Sequence, residues 1–284
     1  MVRYTFVTLI IILTVGFVFM SLMFSFSTNS TSVNSVKHIP VLMYHHFDKT
    51  ISNSVTVSPE RFREQLEYLK KEGYETINDW DLLLFHQGEK ELPEKPVMIT
   101  IDDGYLSNYE YAYPILKDLE MKATIFVVAS ARGQTPGHIP HFSWEQAREM
   151  YESGFIEIQN HSYDGHYKVM QDGGEVPVLL ARLENESEED YLERIKNDFL
   201  RSKELIEMHV GNKVISFAYP YGAFDDTLEQ IALETGHHLL FTVRPGVHNE
   251  KESTLQIKRI NVPGHFSGED IIRIINKYKD KSAN

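Results

Sequence analysis

Pro96-Val97-Met98-Ile99-Thr100-Ile101-Asp102-Asp103-Gly104 is an apolar run that stops on two carboxylates and a glycine. Its first part, Val97–Ile101, reads as a strand covered on both faces, as in a parallel sheet flanked by helices. Adjacent carboxylates at a strand end repel unless a cation sits between them or one is protonated. Gly104 allows the sharp exit that brings both side chains towards one site. Taken alone, Asp-Asp-Gly is also an ordinary turn sequence.

The same pattern recurs on both sides of this segment. Further strand candidates are Val41–Phe47, Ala123–Ala129, Phe155–Asn160, Val214–Tyr219, His238–Val243 and Gln256–Val262. Amphipathic helical stretches alternate with them at Pro59–Glu72, Tyr109–Leu119, Trp144–Glu152, Asp190–His209, Thr227–Thr235 and Glu269–Lys277. Strands alternating with helices imply parallel pairing and a single irregular (β/α)7-type barrel, with an open doubly wound sheet as the alternative. The residues with chemical potential, His45, Asp102, Asp103, His161 and Tyr221, all fall at or just after strand C-termini. In α/β barrels that face carries the active site. Lys168–Glu189, with two glycines and an acidic cluster, reads as a long surface loop.

Composition narrows the function. The chain has 284 residues, 24% of them charged, and a net charge of −13, which argues against a nucleic-acid partner. It has no cysteine, so any metal must be held by His and carboxylate. Tyr4 to Phe26 contains no Asp, Glu, Lys or Arg and is long enough to span a bilayer. Ser25-Phe26-Ser27-Thr28 is a poor signal-cleavage site. Residues 1–27 are therefore expected to be an uncleaved anchor, with a secretory signal as the alternative. Residues 28–37 read as a flexible tether, and residues 38–284 as one extracytoplasmic domain, expected to be monomeric.

Three more motifs end strands. His161-Ser162-Tyr163-Asp164-Gly165-His166 places two histidines five residues apart. That spacing would put them about 140° apart on a helix, but on a loop they can converge on an ion. Two histidines, an Asp and water form a plausible catalytic set with one open position. Phe217-Ala218-Tyr219-Pro220-Tyr221-Gly222 could wall a groove and offer a backbone N–H to an oxyanion. Met43-Tyr44-His45-His46-Phe47 ends the first strand candidate. Alternation puts His45 with Val41 and Met43, and His46 with Leu42 and Tyr44. Both faces are apolar, so periodicity does not choose between the histidines.

In this order and at these separations, the Asp-Asp-Gly, His-Ser…His and Tyr-Pro-Tyr-Gly motifs resemble the NodB-type polysaccharide deacetylases of carbohydrate esterase family four. The resemblance covers about residues 38–275 and is nearest to the intercellular-adhesin branch, which de-N-acetylates poly-β-1,6-N-acetylglucosamine. It implies that Asp102 is the general base and that Asp103, His161 and His166 hold one divalent metal, zinc first, with cobalt or nickel possible. Tyr221 would then serve the oxyanion through its N–H, and His45, directly after Tyr44, would be the general acid. Where the wider family has a base-orienting Arg, this chain has Ala218, and Arg259 is the candidate substitute. The wider family's fourth motif is not evident near Leu239–Arg244. The implied activity is metal-dependent N-deacetylation of an extracellular β-linked N-acetylglucosamine polymer. Peptidoglycan or chitin-like oligosaccharides are alternative substrates, and a non-catalytic polysaccharide-binding protein is a more distant reading. A zinc peptidase is disfavoured for want of a helical His-x-x-x-His pair.

Overall fold

Seven short strands pair in parallel and close into a ring in the computed structural model, which describes residues 36–282. The expected Tyr4–Phe26 anchor and nearly all of the tether lie outside the described residues. Among the described residues, no helix is long and apolar enough to cross a membrane.

The ring strands are β1 (Val41–Tyr44), β2 (Pro96–Ile101), β3 (Ala123–Val127), β4 (Ile156–Asn160), β5 (Ser216–Ala218), β6 (Leu239–Pro245) and β7 (Ile257–Asn261). Each pairs with its neighbour in chain order. β1 closes the ring, setting Leu42 opposite Ile99 on β2 and Ile260 on β7. This is the barrel that the alternating pattern predicts, with strand limits shifted by a few residues.

Alternation along the strands sorts the core into layers. Val41, Met98, Phe126, Ala218, Phe241 and Ile257 fill one buried cluster. Their neighbours Leu42, Tyr44, Ile99, Ile101, Ile125 and Val127 belong to another, packed with helical residues. Helix α1 (Pro59–Lys71) starts at Ser58, whose side chain accepts from Arg61 N, and buries Phe62, Leu66 and Leu69 on one stripe. Each such side chain contributes roughly 1.5–3 kcal/mol through burial.

The structure corrects the sequence reading in several places. The first strand candidate breaks at His45, and His46–Phe47 instead pairs with Thr56–Val57. A short strand, Glu75–Ile77, had no counterpart in the reading; it pairs with the first half of β2, whereas β3 pairs with the second half. Helix α2 (Asp79–His86) follows it, started by a capping box between Asn78 and Asp81. The segment read as the loop Lys168–Glu189 contains an antiparallel hairpin, Lys168–Gln171 with Gly174–Pro177. It turns at Asp172 and Gly173, both with positive φ.

The floor of the barrel, at the opposite end from the motif-bearing loops, is polar. Asp79 is fully buried and accepts from Ser216 Oγ at 3.0 Å and Thr124 Oγ1 at 3.3 Å. Glu157 lies nearby on β4, and its Oε2 is buried without a partner. Burial, then the Asp79 charge, pushes the Glu157 carboxyl up to about 8; burial raises Asp79 to about 6. A carboxyl raised in the folded state binds more protons there than when unfolded. Stability is therefore greatest below the unfolded value of about 4 and falls as pH rises through the folded values. Glu157→Gln is expected to raise Tm at pH 8 by about 2–4 °C, as for ~1 kcal/mol in a domain of this size. The gain should fade by pH 4.5, where both side chains are neutral. Thermal melts of parent and variant across that range check this.

Candidate active site

The strand-end motifs converge on a single cleft of about 240 Å³, lined among others by His45, His46, Asp102, Asp103, His161, His166 and Tyr221. A larger hollow of about 460 Å³ adjoins it, sharing Asp103, Tyr105 and His166 and running along Pro136–His141. The site lies over the first and continues into the second.

The two neighbouring carboxylates are held in different ways. Asp102 receives a buried fork from Arg259: Nη1 to Oδ1 and Nη2 to Oδ2, both at 2.8 Å. Arg259 is 1% exposed and also donates from Nε to Thr242 O. Burial would raise the Asp102 carboxyl, but the charges of Arg259 and His161 outweigh it and hold the group below its ordinary range. Arg259 thus sits where the sequence reading sought a substitute for the missing arginine, while Ala218 contributes its backbone. His161 Nδ1 donates to Ala218 O at 2.6 Å, which leaves its Nε2 lone pair facing the cleft.

Asp103 faces the histidines. Its Oδ1 lies 3.5 Å from His161 Nε2 and 3.2 Å from His166 Nε2, yet this buried oxygen accepts no aligned hydrogen bond. Together these three residues offer ligand atoms within 4.8 Å of one another. With neutral imidazoles, acceptor lone pairs face one another here, and a cation relieves that repulsion. Burial lowers the His161 pKa, but the Asp103 and Asp102 carboxylates more than reverse this, so the pocket favours positive charge at that point. The donor set suits a divalent ion with an open position.

The structure also separates the two first-strand histidines. His45 Nε2 lies 3.9 Å from Asp102 Oδ2. His46 turns its Nδ1 to Thr56 Oγ1 at 3.5 Å and its ring edge to Tyr105. The Tyr221 ring lies against His166 at a tilt of 34°, and its hydroxyl donates to His166 O at 3.1 Å. Three non-glycine residues in these loops have left-handed backbone: Asp103 (φ 72°), Ser162 (φ 93°) and Tyr221 (φ 58°). Each costs on the order of 1–3 kcal/mol, and such strain concentrates at functional sites.

The sequence reading passed over Tyr105, which lines both hollows, and Arg132, which follows β3. Arg132 could have been found by searching the end of β3 as the other strand ends were searched. Asp198, on helix α3 (Glu188–Val210), had no such signal.

Residues 89–240 match the family model described as polysaccharide deacetylase. The chain is 30% identical over 230 residues to the Bacillus subtilis protein YxkH, provisionally named a polysaccharide deacetylase, covering 81% of this chain and 73% of that one. It is 26% identical over 247 residues to the poly-β-1,6-N-acetyl-D-glucosamine N-deacetylase of Escherichia coli K12. That match takes in 80% of this chain but only 37% of the relative, so the chain spans little more than a third of that protein. The structure of IcaB from Ammonifex degensii superposes with a TM-score of 0.73 at 30% identity, covering 84% of this chain and 96% of that one.

Removing one partner from a buried ion pair leaves an uncompensated charge. Arg259→Met should therefore destabilise the fold by about 3–5 kcal/mol, whereas the double variant Asp102→Asn/Arg259→Met should recover most of the loss. Denaturant unfolding of the three chains tests this. Equal losses in the single and double variants would show that packing around Arg259, not its charge, is what matters.

Proposed function

We propose that this chain, which belongs to the polysaccharide deacetylase family and is an N-deacetylase, acts in a metal-dependent way on extracellular poly-β-1,6-N-acetylglucosamine. The observation that carries the reading is the convergence of Asp103, His161 and His166 beside an Arg-paired Asp102 and His45. The linkage is supported by the name of the Escherichia coli relative. The exported setting is supported by the apolar run Tyr4–Phe26, which we read as a membrane anchor.

In this reading Asp103, His161 and His166 hold one divalent ion, zinc first and cobalt or nickel next. When bound, that ion supplies Lewis acidity to polarise the acetamide carbonyl and acidify water. The protein does the rest. Asp102 accepts the proton of the attacking water, and the Arg259 fork keeps it ionised and fixed in direction. The Tyr221 backbone N–H donates to the developing oxyanion, a contribution of roughly 10²–10³ in rate for one such donor. His45 gives a proton to the departing amine, without which an amide nitrogen does not leave; a positioned acid contributes about 10²–10⁴. Ala218 O fixes the His161 tautomer by accepting from Nδ1.

Chelator treatment is expected to abolish deacetylation, and zinc, cobalt or nickel to restore it. Asp103→Ala should lose the metal, whereas Asp102→Asn should keep it and lose turnover. Metal analysis alongside activity separates the two. His45→Ala should lower kcat at least ~100-fold while leaving metal content unchanged, and the defect should shrink on an activated ester that needs little leaving-group protonation. Mass spectrometry of β-1,6 and β-1,4 N-acetylglucosamine oligomers after incubation decides the linkage. Preferential deacetylation of the β-1,4 series would replace the proposed substrate with a peptidoglycan- or chitin-like one. Fractionation of cells making the full chain should recover it with the membrane, its domain open to added protease.

A further inference from the structure

We infer that Arg132 and Asp198 are positioning residues that set the geometry of the metal ligands from behind, without touching the ion. The inference rests on the metal-centred reading above. Four residues separate His161 from His166, and side chains rather than regular secondary structure hold all four of their N–H groups. Ser162 N donates to Asn160 Oδ1 at 2.8 Å, and Gly165 N to Ser162 Oγ at 3.0 Å. The two in the middle go to one carboxylate: Tyr163 N to Asp198 Oδ1 at 3.0 Å and Asp164 N to Asp198 Oδ2 at 2.9 Å. Asp198 projects from α3, between Ile195 and Phe199, which are fully buried. A loop clamped from that helix cannot let its histidines drift apart, and this is how a five-residue separation can present both rings to one point.

Arg132 does the complementary task for Asp103. Asp103 and Gly104 both have a φ of 72°, so their carbonyls leave the strand pattern. Arg132 Nη2 donates to Asp103 O at 2.8 Å and Nη1 to Gly104 O at 2.6 Å, while Nε reaches Val128 O at 3.2 Å. Arg132 is 6% exposed, and these three donors go to carbonyls rather than to a carboxylate. A cation buried on those terms is costly, and an apolar filler would suffice if only volume were needed. A Cβ on residue 104 would lie 2.4 Å from Arg132 Nη1, so glycine is required there for the clamp as well as for the turn. One anion gathers amides and one cation gathers carbonyls, so that ligands from two separate loops meet.

The test uses the full-length chain, with zinc alone as the probe, titrated in competition with a chromogenic chelator. Asp198→Asn keeps the shape but one acceptor fewer; Arg132→Lys keeps the charge but loses the fork. Each is expected to weaken the zinc Kd by about 10–100-fold, the range for residues that orient metal ligands, while circular dichroism of the metal-free protein stays that of the parent. Excess zinc should restore much of the lost kcat with KM little changed. If a variant does not fold, Asp198→Glu and Arg132→Gln provide second tests of the same contacts. A lower Tm with zinc Kd within about twofold of the parent would overturn the inference and leave the metal-centred reading intact. A parent chain that binds no zinc would overturn both.

Discussion

Two carboxylates on consecutive residues, both buried at the end of one strand, cannot stay ionised side by side unless each has its own positive partner. The structure meets that constraint by turning them apart. Asp102 continues the strand and meets the Arg259 guanidinium, while Asp103 enters the left-handed region and faces two imidazoles. The rest of the site follows from this division. The paired carboxylate keeps a fixed charge and a fixed direction. The other keeps a buried oxygen without a hydrogen-bond partner, turned towards the two histidines.

The strain this requires is distributed over three strand ends. Asp103, Ser162 and Tyr221 each adopt a backbone conformation that L-residues disfavour, and each is held by contacts outside its own loop. Tyr221 rests on His166, the Ser162 loop hangs from α3, and the Asp103 turn is gripped from the loop after β3. A barrel suits this arrangement because its strands form a stiff ring and its variable chemistry sits in loops on one face.

Much of this was legible in the chain itself. Alternating strand and helix patterns foretold the barrel, and the placing of His45, Asp102, Asp103, His161 and Tyr221 at strand ends foretold one shared face. Periodicity could not separate His45 from His46, since both faces of β1 are apolar; the break after Tyr44 separates them in space. The short strand Glu75–Ile77 and helix α2 escaped because Asp79-Trp80-Asp81-Leu82-Leu83-Leu84-Phe85-His86 has no single apolar stripe: it packs into the barrel floor rather than lying on its wall. The hairpin within Lys168–Glu189 carried its signal in Asp172-Gly173, a turn pair between two short alternating runs. Arg132 follows a strand end that the sequence reading did not search, whereas Asp198 holds backbone N–H groups of distant residues from within a helix, and no spacing along the chain announces such contacts.

The ion pair at the centre joins residues 157 apart in sequence, one on the second strand and one on the last. A chain emerging from its N-terminus therefore completes the strands that carry Asp102, Asp103, His45 and both histidines well before Arg259 appears. Until β7 slots between β6 and β1, the carboxylate on β2 has no counter-charge, and burying it is unfavourable. Closing the ring and giving Asp102 its counter-charge are one event. Completion of the site thus depends on the final strand, which gives the domain a built-in order of assembly: the buried pair at its centre forms last.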